Sequence, residues 1–323
     1  MANQALPHKR PVRPHKVLSG QFPAPATCLF LVLCCWSLIF MVVGCAGGGP
    51  AEQPALPPVN LDNLVTLPEP ATEEHFESLK LAVAAILSPQ GTVHSYRPLQ
   101  AYMEQHFGKP VQLVQRRTYQ EVNELLSRGL VDVAFVCTGP FVTGLEQGTM
   151  ELLVAPQVDG EATYQGVFIV SSDSRIKTLD DLRGKVFAFT DPMSNTGYDY
   201  PMSVINDRGE SAEEFFGRTI FTYSHDRSIA AVLDGVVDGA SVDRIVFNHA
   251  TSNNQNLREK FRVLHTSRKF GIPPVVVPAG TDHEQQQLLR DFFLNMHRDP
   301  DGAAILADLG IDRFVTGDLE MYR

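Results

Sequence analysis

Two periods of hydrophobic and polar residues alternate along most of this chain. Leu79-Lys80-Leu81-Ala82-Val83-Ala84, residues 131–136, Tyr164-Gln165-Gly166-Val167-Phe168-Ile169-Val170, Lys185-Val186-Phe187-Ala188-Phe189 and residues 273–278 are short apolar runs that predict buried strands. Residues 119–128, with Val122, Leu125 and Leu126 apolar, predict an amphipathic helix, as do residues 226–234, with Ile229, Val232 and Leu233. A longer helix is expected over residues 282–297, with Leu288, Leu289, Phe292, Phe293 and Met296 on one face. Thr178-Leu179-Asp180-Asp181 reads as a capping box opening a short helix. Short strands alternating with helices predict α/β layers built on mainly parallel sheets.

One unit occurs twice. Gly129-Leu130-Val131-Asp132-Val133-Ala134 is echoed by Gly235-Val236-Val237-Asp238-Gly239-Ala240. Each copy follows a helical segment, places Gly where a helix ends in a left-handed residue, and leads through a strand into another helix. A repeated helix–Gly–strand–helix unit suggests two similar lobes. Residues 76–163 and 279–323 are expected to form lobe one and residues 164–278 lobe two. Two crossings then make a hinge, and the hinge a cleft.

The N-terminal segment has a different pattern. Lys9, Arg10, Arg13 and Lys16 precede an apolar run from Cys28 to Val43, with no acid among them. The run falls short of the roughly 20 residues a membrane span needs and reads as a secretory signal over residues 1–44. Val42-Val43-Gly44-Cys45 resembles the lipobox of bacterial lipoproteins, which makes Cys45 the acylated first residue of the mature chain; the alternative is an uncleaved anchor. Residues 45–75, rich in Pro, Ala and acids, are expected to form a disordered tether. Of five Cys, only Cys137 is then left, so no internal disulfide is expected, and at a strand end it reads as a small buried hydrophobe.

Charge narrows the function. The signal removes four basic residues and no acid from totals of 27 and 37, which leaves a mature net charge of −14. That argues against nucleic acid as a partner, which needs a basic face. An anionic ligand must be held by local dipoles. The turn Asp191-Pro192-Met193-Ser194-Asn195-Thr196-Gly197 suits that purpose. It follows a strand and precedes a helix expected over residues 198–208, so helical N–H groups, three side-chain donors and a glycine permitting close approach converge there. Ser194 as a simple helix cap is the competing reading.

The order of parts resembles the phosphate/phosphite/phosphonate-binding proteins of ABC transporters, over about residues 79–315. The resemblance is carried by residues 164–170, Ser172-Asp173-Ser174, Leu179-Asp180-Asp181-Leu182-Arg183-Gly184-Lys185, the Asp191–Gly197 turn and Ser224-His225-Asp226 after Tyr223. It implies a two-lobed periplasmic-binding-protein fold of type II and a bacterial, lipid-anchored receptor on the periplasmic side. The receptor would take a small phosphorus oxyanion (phosphate, phosphite or an alkylphosphonate) and pass it to an ABC transporter permease. The alternative partner is a membrane sensor kinase. A monomer without cofactor or metal is expected.

The resemblance assigns phosphoryl contacts to Ser194, Asn195 and Thr196 beside Gly197, and a ligand-facing role to His225 and Tyr119. A protonated His225 is expected beside an anion. Thr138 and Gly139, which follow a strand and open a helix, are expected on the opposite wall. Family members that take aminoalkylphosphonates hold the amine with acids, one of them in a Gly-Asp-Pro-like turn. Here the turn reads Gly271-Ile272-Pro273, which favours a smaller or uncharged tail. Asp243 is the remaining carboxylate, either facing the cleft or capping the next helix. An enzyme on the same scaffold is the rival class, but no His-Glu-x-x-His or Gly-x-Ser-x-Gly motif occurs in the chain.

Overall fold

Our computed structural model describes residues 78–322 apart from Asn253. The expected signal, the tether and Cys45 lie outside the described residues. The order is β1 (Leu79–Val83), α1 (Pro89–Phe107), β2 (Val111–Gln115), α2 (Tyr119–Ser127), β3 (Val133–Phe135), α3 (Thr138–Glu146) and β4 (Met150–Gln157). Then come β5 (Thr163–Tyr164), β6 (Gly166–Ser171), β7 (Val186–Phe189), a π-helical turn (Asn195–Asp199), α4 (Tyr200–Asn206), α5 (Ala212–Phe215) and β8 (Arg218–Phe221). These are followed by α6 (His225–Leu233), β9 (Gly239–Asp243), α7 (Arg244–Ser252), α8 (Gln255–Arg258) and β10 (Phe261–Thr266). The chain closes with β11 (Phe270–Gly271), β12 (Val275–Pro278), α9 (His283–Asn295), α10 (Pro300–Asp308) and β13 (Arg313–Val315).

Each lobe is built on one sheet. The first has six strands in the order β13-β4-β12-β3-β1-β2, the second five in the order β10-β6-β9-β7-β8. Both sheets are mixed, not mainly parallel. β1 runs parallel to β2 and β3, and β7 to β8 and β9. The antiparallel pairs involve strands that arrive from or leave for the other lobe: β12 lies against β3 and β4, and β6 against β9 and β10. The sequence places residues 275–278 near the end of lobe two, but β12 pairs within the first sheet, so the return crossing precedes it. The crossings themselves pair as the short ribbon β5–β11.

The period-2 pattern sorts side chains onto opposite faces of each sheet. On β1, Leu79, Leu81 and Val83 pack with Leu99, Phe292 and Phe293, while Ala82 joins Tyr119, Val122 and Phe141. On β6, Val167 and Ile169 face one core and Phe168 and Val170 the other. The repeat holds in three dimensions. Gly129 (φ +60°) and Gly235 (φ +68°) end α2 and α6 in the left-handed region, and β3 and β9 are interior strands of their sheets. In α9 the expected apolar face is buried except at Leu288, which is exposed.

Candidate functional site

The C-terminal ends of the parallel strands in both lobes deliver the polar residues, as open α/β sheets deliver ligand sites. From lobe one, the helix openings Tyr119 (α2) and Thr138–Gly139 (α3) face the cleft. From lobe two come the turn after β7, the opening of α6 at His225, and Asp243 at the end of β9. The sheet ladder is prolonged at this edge: Thr222 N–H donates to Phe189 O at 3.0 Å and Tyr223 N–H to Thr190 O at 2.8 Å. Thr190 and the Ser224–His225 turn are thereby brought together. Tyr223 takes a left-handed φ of +60°, local strain of the kind that collects at binding turns.

The lobes touch across the cleft. Tyr119 N–H donates to Asp191 Oδ2 at 3.1 Å, and Ser88 N–H to Asp226 Oδ1 at 2.9 Å. His225 N–H donates to Ile86 O at 3.0 Å. Asp191 also accepts Met193 N–H, so one buried carboxylate fixes its own turn and docks α2.

Several predicted site residues are engaged by protein partners. Ser194 Oγ accepts Gly197 N–H at 3.1 Å, so it does cap the following turn while its own hydroxyl hydrogen remains available. Gly197 is present for space, because a Cβ there would stand 1.7 Å from Thr190 Oγ1. The Asn195 side-chain amide donates to Tyr164 Oη at 3.1 Å, and Thr138 Oγ1 donates to Gly271 O at 2.7 Å. Both side chains thus stitch the cleft to the hinge ribbon. Gly139 lies against the backbone of Met193 and Asn195 from the other lobe.

Asp243 settles between its two readings by doing both. Oδ1 accepts Ile245 N–H at 2.6 Å and Val246 N–H at 3.3 Å, capping α7, and the side chain also lines a cavity between the lobes. Burial raises its carboxyl from 3.8 to about 7 against those two hydrogen bonds.

For His225 the structure corrects the expected cation. Nδ1 accepts Asp243 N–H at 3.0 Å, so the proton of the neutral ring sits on Nε2. Burial drives the ring down to about 3, so it is neutral at pH 7. His225 is therefore a neutral Nε2–H donor.

Buried side-chain atoms without a hydrogen-bond partner include Tyr119 Oη, Thr190 Oγ1, Thr196 Oγ1, Ser224 Oγ and His225 Nε2. A buried polar atom left unpaired costs roughly 1–3 kcal/mol. All five can donate, none carries charge, and all lie on the segments that meet at this edge. They are complementary to an acceptor-rich anion. Thr196 is held in place by Ser241, whose hydroxyl donates to its carbonyl at 2.6 Å. Cys137 also reaches the site: the backbone N–H groups of Asn195, Gly139 and Thr138 act on its thiol, while burial pushes it up to about 11 and keeps it neutral. Among the described residues no group of His, Cys, Asp and Glu could hold a metal ion, and no helix is long and apolar enough to cross a membrane.

Sequence reasoning missed Thr190, Ser224, Tyr164 and the docking role of Asp191. Tyr164, Asp191 and Ser224 lie inside the family's motifs, but nothing along the chain signals their partners.

Residues 81–322 match the model of the ABC-transporter phosphonate family of periplasmic substrate-binding proteins. The chain belongs to this family. Among curated members it is similar to the phosphonates-binding periplasmic protein of Escherichia coli, at 24% identity over 266 residues, covering 80% of this chain and 78% of that one. It is 32% identical over 193 residues to the phosphate-import protein PhnD of Mycolicibacterium smegmatis, covering 55% and 60%. Two solved structures share the fold. One is a binding-protein component of an ABC phosphonate transporter from Pseudomonas aeruginosa (TM-score 0.71, 22% identity, 76% of this chain and 83% of that). The other is a Prochlorococcus marinus protein in complex with methylphosphonate (TM-score 0.69, 17% identity, 76% and 94%). This phosphonate-family receptor thus has the two-lobed architecture that its sequence predicts.

Proposed function

We propose that this receptor captures a small phosphorus oxyanion between its lobes and delivers it to an ABC transporter permease. The observation that carries this reading is the set of five buried, neutral, unpaired donors at the meeting edge of the two lobes. Family membership and the ligands named for its relatives, phosphonates, phosphate and methylphosphonate, supply the chemical class. Neutral donors on fixed backbone suit a net-acidic receptor. They bind an anion through oriented dipoles without a cation that must itself be desolvated. Ser194, Thr196, Tyr119 and His225 serve as donors, while Asn195, Gly197, Thr138 and Gly139 shape the cradle.

A thermal-shift panel on the full chain with phosphate, phosphite, methylphosphonate and sulfate tests the class, because a ligand of the folded state raises its melting temperature. Thr196→Val and His225→Gln each remove or redirect one donor to a charged acceptor, a contribution of about 1.5–3 kcal/mol. Each is expected to weaken binding of the best ligand about ten- to a hundredfold in calorimetry. Affinities within twofold of the parent for both variants would reject the site.

The anchoring proposal is lipidation at Cys45, which would tether the receptor to the periplasmic side of the envelope. Cys45→Ser is expected to abolish palmitate labelling and shift the protein out of the membrane fraction. Labelling that persists in the variant would assign the lipid elsewhere.

A further inference from the structure

Between the lobes, beside the donor cluster, lies a cavity of about 120 Å³. Ser95, Asp243 and His249 are the polar side chains on a wall otherwise made of aliphatic and aromatic residues. Tyr96 and Phe135 of lobe one, in edge contact at 5.1 Å, form one side, and Ile311 of lobe one with Ile272 of the return crossing another. Ile245 and Val246 of α7 close it from lobe two.

The cavity adjoins the proposed anion cradle, with three of its lining residues bonded to or next in sequence to cradle residues. Asp243 lines it and holds His225 Nδ1 through its backbone N–H. Ile86 lines it and accepts His225 N–H. Val136 lines it and leads directly into Cys137 and the opening of α3. An apolar chamber therefore lies one residue away from the cradle, on the side of Ile86, Val136 and Asp243.

We infer that the receptor selects organophosphonates carrying an unbranched apolar tail of about three to five carbons, with the tail seated in this cavity. The inference rests on the oxyanion reading of the cleft and adds the tail to it. Volume sets the length: a 150 Å³ apolar cavity accommodates benzene, so a slightly smaller one accommodates a shorter chain. The wall sets the chemistry. A buried aliphatic tail gains from leaving water, whereas an ammonium would have to shed its hydration against a mostly apolar wall. Asp243 offers an ammonium little compensation, because one of its oxygens is taken by two N–H groups of α7 and burial disfavours its charged form.

Calorimetry on the full chain with phosphate, phosphite and methyl-, propyl-, butyl- and 2-aminoethylphosphonate tests the proposal. Each methylene from methyl to butyl is expected to tighten binding about fourfold, equivalent to about 0.8 kcal/mol. 2-Aminoethylphosphonate, nearly isosteric with propylphosphonate, is expected to bind at least tenfold more weakly than it. Ile311→Phe, which fills the chamber, is expected to erase the gain with chain length while leaving methylphosphonate affinity unchanged. Should that variant not fold, the ligand series on the parent still decides. Propylphosphonate within twofold of methylphosphonate, an aminoethyl compound tighter than the propyl one, or a length gain surviving Ile311→Phe overturns the proposal while leaving the oxyanion reading intact. Failure of every phosphorus oxyanion to bind would overturn both.

Discussion

Gly139→Ala is expected to weaken ligand binding by roughly ten- to a hundredfold without harming the fold. A Cβ at this position would stand 2.2 Å from Met193 O and 3.2 Å from Asn195 N, both backbone atoms of the facing lobe. No rotamer change relieves a clash with backbone, so the lobes must part. Parting forfeits Tyr119, the lobe-one donor, and losing one hydrogen bond to a charged acceptor amounts to about 1.5–3 kcal/mol. Within its own lobe the substitution is benign: Gly139 is in the first turn of α3, where Ala is the better helix former. The melting temperature without ligand should therefore hold or rise slightly, while calorimetry shows the loss. Small-angle scattering should also lose any ligand-induced decrease in radius of gyration. A variant that binds normally would mean that α3 does not close on the Ser194 turn. A variant that binds weakly and also melts early would move the effect from closure to folding.

The fold was legible because its signals are local. Gly129 and Gly235 each mark a helix end followed by a strand, and the φ values of both bear out the reading. Helix α1 gives no clear periodic signal in the sequence. Pro89, Gly91 and Pro98 break its pattern, yet Pro89 falls in the first turn, where a missing N–H is harmless, and Ser88 caps it by accepting Gly91 N–H. Strand direction was misjudged for a non-local reason. A βαβ pattern predicts parallel neighbours, but β12 and β6 enter their sheets from the opposite lobe.

At the site, the motif located the right segments but not the state of each side chain. Ser194 and Gly197 bond within one turn, so their pairing follows from spacing alone. Thr138 meets the carbonyl of Gly271, Asn195 meets Tyr164, and Tyr119 meets Asp191, all at separations that only the folded chain closes. His225 shows the consequence most clearly. Its sequence neighbours say nothing about the Asp243 N–H that fixes the tautomer, and the ring proves a neutral donor where a cation is the natural guess.

Asp243 and His225 also make opposite contributions to stability against pH, and Asp243→Asn should separate them. In the fold the Asp243 carboxyl is raised from 3.8 to about 7, chiefly by burial. Its stabilisation is complete below 3.8 and lost as pH rises to about 7, by about 4 kcal/mol for a shift of this order. His225 is lowered from 6.5 to about 3, also by burial. Its contribution is complete above 6.5 and lost as pH falls toward 3. Between roughly pH 4 and 6.5 the two slopes oppose, so together they leave the parent nearly flat. Asn at position 243 keeps an oxygen for Ile245 and Val246 N–H but carries no charge. The unliganded variant is therefore expected to exceed the parent in urea-unfolding stability at pH 8, by about 1–4 kcal/mol. It should then lose stability as pH falls from 6.5 to 4, where His225 acts unopposed. A variant less stable than the parent at pH 8 would show that the carboxylate is favoured in its pocket. The burial argument would then be wrong in sign, and the chamber beside it would be a site for a cation instead of an alkyl tail.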